Sequence, residues 1–234
     1  MFFFGWDPIY FLFTLPALAF VLYAQWKVKS AYAKYSQVPS PRGLSGYEVA
    51  QILLRQNGLI DVGIQRIPGE LTDNYDPANK VLNLSDSSVG VPSLAALAVV
   101  AHECGHAVQD QQGFALLRLR SALVPAANLG TNIGVWIFII GFIVHALAVA
   151  WVGVLLFGLA VLFALVTLPV ELDASNRALK MLRQGGFLVG AELKGAEDVL
   201  SAAALTYVAA LAQAMLTLAY FVFRLMGASS RNDR

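Results

Sequence analysis

Charge is scarce in this sequence: Asp, Glu, Lys and Arg make up 13% of its 234 residues, against about 25% in an ordinary soluble domain. Hydrophobic residues reach 58%, more apolar surface than a soluble chain of this length can hide, so the composition points to an integral membrane protein. Cysteine is nearly absent. Cys104 is the sole example, which excludes an intrachain disulfide and any Cys-x-x-Cys metal site; it reads as a small helix-packing residue. Net charge is only +1 and no Lys/Arg cluster is interleaved with aromatics, so nucleic acid has no support as a partner. No repeat of solenoid period occurs. The first apolar run lacks a preceding basic region and a following small-residue cleavage site, so it is expected to be an uncleaved span rather than a signal peptide.

Long apolar runs are plentiful. Spans of roughly 20 residues are expected at about 3–25, 134–150, 152–169 and 203–225, the second and third joined by a tight turn near His145 to Gly153. Trp6, Trp26 and Trp151 suit membrane interfaces, and Pro16 is a kink position in the first span. Lys and Arg are distributed unevenly: nine fall in residues 27–132, four in 171–200 and three from Arg224 onward. The positive-inside rule then makes the side shared by 27–132 and 171–200 cytoplasmic. The expectation is one membrane-embedded domain over 1–234 in the cell membrane, multi-pass, with its catalytic region formed by 27–132 and 171–200.

Between the first and second spans the chain turns polar. Ser45 and Glu48 have capping-box spacing and open an amphipathic helix to about Gln56, stopped by Asn57 and Gly58. Residues 62–67 and 80–85 alternate like short strands, separated by turn chemistry at Pro68, Gly69 and Asp76 to Asn79. They are expected to form a small antiparallel pair, whose free edge can hold an extended peptide by main-chain hydrogen bonds. Ser93 is the expected N-cap of a helix running to Gln112. The fold class is thus mainly α: a polytopic membrane protein with about four transmembrane helices, an H-E-x-x-H helix of zincin type and a small β-hairpin.

That helix carries the chemistry. His102 and His106 stand four residues apart and share one face, where both imidazoles reach a single Zn²⁺. Glu103 lies about 100° round the axis, placed to take a proton from a water at the metal. Ala101, Gly105 and Ala107 are small enough to leave room for the ion. A catalytic zinc needs a third protein ligand. The metzincin solution is excluded, because Gln112 stands where its histidine would fall and Gln109 where its glycine would. The remaining candidates are Asp110, Glu171, Asp173, Glu192, Glu197 and Asp198, with Glu171 and Asp173 favoured as carboxylates just beyond a span. The chemistry implied is peptide hydrolysis: the metal activates water and polarises the scissile carbonyl, and Glu103 passes the proton to the leaving amine. Tyr75, Asn74 and Arg177 are candidate oxyanion donors, and Asn83 a candidate for contact with substrate.

Six blocks of the chain resemble, in order, the bacterial membrane neutral zinc metallopeptidases: the N-terminal span, Leu71-Thr-Asp-Asn-Tyr-Asp-Pro77, Lys80-Val-Leu-Asn-Leu-Ser85, His102-Glu-Cys-Gly-His-Ala-Val-Gln109, Leu119-Arg-Ser-Ala-Leu-Val-Pro125 and Leu168-Pro-Val-Glu-Leu-Asp-Ala-Ser175. That family is distantly similar to gluzincins such as the heat-shock membrane protease and the CaaX prenyl protease. The resemblance implies Glu171 as third zinc ligand beside His102 and His106, with Glu103 as base. It also shows two departures. Ser175 stands where the pattern Glu-x-x-Ala-Asp places its Asp, so support of the ligands passes to Asp173 or is unfilled. Asn74 stands where histidine is expected. The expected partners are a peptide or membrane-protein substrate and the lipid bilayer. Two other readings are a membrane scaffold with structural zinc and a site-2-like intramembrane protease. The second wants Leu-Asp-Gly where this chain has Leu172, Asp173 and Ala174.

Overall fold

The computed structural model describes the backbone of residues 8–232. Trp6 and the first residues of the expected first span lie outside that range. Among the described residues, eight α-helices (the shortest, α3, is Asp86–Val89) and three short strands divide into two compact units. One comprises residues up to Tyr23, Leu119–Leu168 and Thr206 onward; the other comprises Ala24–Arg118 and Pro169–Leu205.

The first unit carries the apolar parts of four helices long and apolar enough to cross a membrane. These are α1 (Pro8–Ser36), the stretch Ala115–Ile143, α7 (Leu147–Gln184) and α8 (Gly190–Asn232). Pro8 opens α1, where a missing N–H costs nothing, and the helix runs on through Pro16. The helix that carries the span expected from about residue 134 begins at Ala115. α5 (Ala115–Leu129) passes through Pro125 and a π-helical segment, Gly130–Gly134, directly into α6 (Val135–Ile143). The π segment absorbs the irregularity that proline and paired glycines otherwise signal as a break. The turn to α7 is tighter than expected, with His145 exposed at φ +58 between Val144 and Ala146. Gly141 permits this hairpin, because a Cβ there would lie 2.5 Å from the Ala150 nitrogen. Phe138 and Phe221 stack with centroids 4.0 Å apart in the unit's apolar core.

The second unit holds the remaining elements. Its capping box forms: Ser45 N–H donates to Glu48 Oε2 at 2.8 Å, the Ser45 side chain accepts from Glu48 N–H, and α2 (Gly46–Gln56) follows. Strands β1 (Gly63–Ile67), β2 (Asn74–Asp76) and β3 (Val81–Ser85) form one sheet in the order β1-β3-β2. A hairpin is present, but between β2 and β3, which pair antiparallel. The expected antiparallel pairing of β1 with β3 is corrected: they run parallel, Gly63 opposite Val81. The cause is β2 itself. The segment after β1 reverses direction as β2, then reverses again where the Asp76 carboxylate accepts from the N–H groups of Ala78 and Asn79. Leu82 and Leu84 point into the core from β3. They meet Leu53 of α2 and Leu97, Ala101 and Cys104 of α4 (Leu94–Gln111) in a cluster shared with Ala178 and Leu182 of α7 and Val199 of α8.

Candidate metal centre

Ser93 starts α4 as an N-cap, its side chain accepting from Ala96 N–H at 3.2 Å. Counting from there, the i and i+4 positions bring His102 and His106 side by side, ring centroids 4.7 Å apart and planes at 85°. α7 brings Glu171 to the same place. Its Oε2 lies 3.1 Å from His102 Nε2 and 3.6 Å from His106 Nε2, and its side chain is 2% exposed. One donor atom from each of the three residues falls within 4.8 Å of the others. Among the described residues this is the group of His, Cys, Asp or Glu side chains able to hold a metal ion.

The donor chemistry fits Zn²⁺. Each imidazole has its other nitrogen occupied: Ser175 Oγ lies 3.2 Å from His102 Nδ1, and Gln109 Oε1 lies 2.9 Å from His106 Nδ1. Both Nε2 atoms therefore face the carboxylate and the space between. Two histidines and a glutamate are a donor set of catalytic rather than closed structural zinc sites, leaving a position for water.

Glu103 sits beside this group. Burial pushes its carboxyl above the usual range, while His102 and His106 pull it down. Its Oε2 accepts the Tyr75 backbone N–H from edge strand β2 at 3.0 Å. Cys104, one residue on, is buried in the core, and burial drives its thiol well above the ordinary range. It is a packing residue, not a nucleophile.

The space left by Gly105 is taken by protein. A Cβ there would lie 2.6 Å from the Ala174 carbonyl oxygen, so Gly105 is where α4 and α7 touch backbone to backbone. Ala101 and Ala107 are likewise packed in the core. That contact brings α7 close enough for Glu171 to meet the histidines.

Other expected site residues fall into two groups. Asp173, Ser175 and Arg177 are close to the centre: Asp173 Oδ2 accepts from Gln109 Nε2 at 2.8 Å and from Arg177 Nε at 2.5 Å. Arg177 also donates to Gln112 Oε1 at 2.7 Å. Tyr75 approaches through its backbone, while its hydroxyl donates to Asp110 at 3.0 Å. Asn83 donates its amide to Asn74 Oδ1 across the sheet at 2.9 Å. Glu192 caps α8 by accepting from Val189 N–H, and Glu197 and Asp198 pair with Lys194. Gln109 was not anticipated. The sequence signal was a glutamine one turn beyond His106 in an apolar helix; the structure buries it wholly, where an unpartnered amide is costly.

Comparison with known proteins by sequence covers most of the chain. The Bacillus subtilis (strain 168) protein named "Putative membrane protease YugP" is 39% identical over 224 residues, covering 96% of this chain and 100% of that protein. No solved structure matches. The family described as "Putative neutral zinc metallopeptidase" matches residues 10–226, and this chain belongs to it.

Proposed function

We propose that the protein is a zinc-dependent membrane endopeptidase of gluzincin type, with its active site at the cytoplasmic face. The observation that carries this reading is the convergence of His102, His106 and Glu171, with Glu103 beside them on the same helix. When bound, Zn²⁺ supplies Lewis acidity toward the scissile carbonyl and activates water for attack. His102, His106 and Glu171 hold the ion. Glu103 accepts the proton of the attacking water and delivers it to the leaving amine. The Tyr75 N–H fixes one Glu103 oxygen and leaves the other for water. Strand β2 is an edge beside which an extended peptide can lie. Gln109, Asp173 and Ser175 support the ligand shell.

The protease function named for the Bacillus protein agrees with this reading, as does the family description. α4 is not among the four helices long and apolar enough to cross a membrane, which favours a site at the membrane face over an intramembrane one.

Two measurements test it. Glu103→Gln should retain bound zinc and lose proteolysis of an unfolded protein such as casein by about 10²- to 10⁴-fold; proteolysis undiminished in this variant would exclude Glu103 as the base. For orientation, a cysteine introduced at exposed Ile60 in a Cys104→Ala background should resist a membrane-impermeant maleimide in intact cells and react after permeabilisation. Labelling in intact cells would reverse the topology.

A further inference from the structure

Gln109 is fully buried, and all of its polar capacity is committed. Its Nε2 donates to the Val170 carbonyl at 2.9 Å and to the Asp173 carboxylate at 2.8 Å. Both partners only accept, so the amide has one tolerable orientation. Turning it over would set its oxygen against two other oxygens in a buried setting. Its Oε1 is therefore fixed toward His106 Nδ1, 2.9 Å away, and that nitrogen must carry the proton. Asp173 is itself held from the far side by Arg177, which reaches on to Gln112. The orientation of one amide is thus secured by two helices, α4 and α7.

We propose that Gln109 is a positioning residue that locks His106 in its Nδ1–H tautomer and so presents the bare Nε2 to the metal. The proposal rests on reading the centre as a zinc site. It adds the device that sets the state of one ligand before any ion arrives. A histidine free to take either tautomer would present a protonated Nε2 part of the time, and zinc would have to select against it. His102 faces only a serine hydroxyl at its Nδ1. A hydroxyl donates or accepts with equal ease, so the two histidines are unequally determined and His106 is the one built in advance.

The chain has three histidines, few enough for imidazole nitrogens to be followed individually in full-length, ¹⁵N-histidine-labelled protein in detergent. In metal-free wild type, at a pH where the ring is neutral, His106 should carry its proton on Nδ1. In Gln109→Leu, its signals should move toward the Nε2–H form. Zinc affinity, measured by chelator competition, should fall by about 10- to 100-fold while the protein still unfolds cooperatively. Gln109→Met keeps the length of the side chain without its amide and should lose the Nδ1–H preference as Gln109→Leu does. An unchanged tautomer and unchanged zinc affinity in Gln109→Leu would overturn the proposal. So would a neutral His106 in wild type that carries its proton on Nε2. Should the leucine variant fail to fold, an unchanged tautomer and unchanged zinc affinity in Gln109→Met would overturn it as well. Wild type that binds no zinc but shows His106 as Nδ1–H would remove the zinc reading and leave the tautomer lock standing.

Discussion

Glu103 and Glu171 are two carboxylates buried in one small volume, and each survives there through a different partner. Glu171 faces two imidazoles; Glu103 accepts a backbone N–H from β2. A buried carboxylate left without such partners would cost several kcal/mol. The single atom that most constrains this arrangement is one that is missing, the Cβ of residue 105. Gly105→Ala would push α4 away from the Ala174 carbonyl, or force α7 to shift, because backbone lies on both sides of the clash. The expected cost is about 1–3 kcal/mol of stability, seen as a lowered thermal midpoint in detergent, together with weakened zinc binding as Glu171 withdraws from the histidines. An alanine variant with both properties unchanged would show that the helix crossing is looser than described.

At the level of elements, local chemistry was readable and pairing was not. The Ser45 capping box and the Ser93 N-cap bond within their own helix termini, so a short stretch of sequence states them completely. His102 and His106 were legible for the same reason, since four residues on a helix make neighbours. Glu171 needed its position beyond a span and the family resemblance, because its partner His102 is 69 residues away in the chain. Gln109 went unseen because its deciding contacts lie on α7, 61 and 64 residues on. The direction of β1 against β3 depended on a three-residue strand, Asn74–Asp76, too short to show a period. That strand is held by Asp73, whose carboxylate accepts from Ser85 N–H at 2.8 Å, Ser85 Oγ at 2.7 Å and Ser88 Oγ at 3.1 Å. Asp73→Ala should cost about 1–3 kcal/mol and release the Tyr75 N–H from Glu103. It should lower proteolysis more than zinc content, because no ligand is touched. Equal losses of both would place Asp73 in general folding rather than in holding β2.

For the whole molecule, the scarcity of charge and the four long apolar helices have one explanation. Leu12 and Leu155 are each 71% exposed and Trp136 64%, surfaces that only lipid can cover without penalty. The polar residues gather instead in the unit that contains the metal centre, where His102, Glu103 and His106 come from residues 24–118 and Glu171 from residues 169–205. Two segments separated in sequence by a pair of apolar runs therefore meet within that unit. The central claim is that Glu171 completes a zinc site begun by the two histidines, and zinc content tests it most directly. Full-length protein purified without added metal should carry one zinc per chain in wild type, and Glu171→Gln should lose most of it on mild chelation. Glu171→Gln that keeps its zinc as tightly as wild type would contradict the claim.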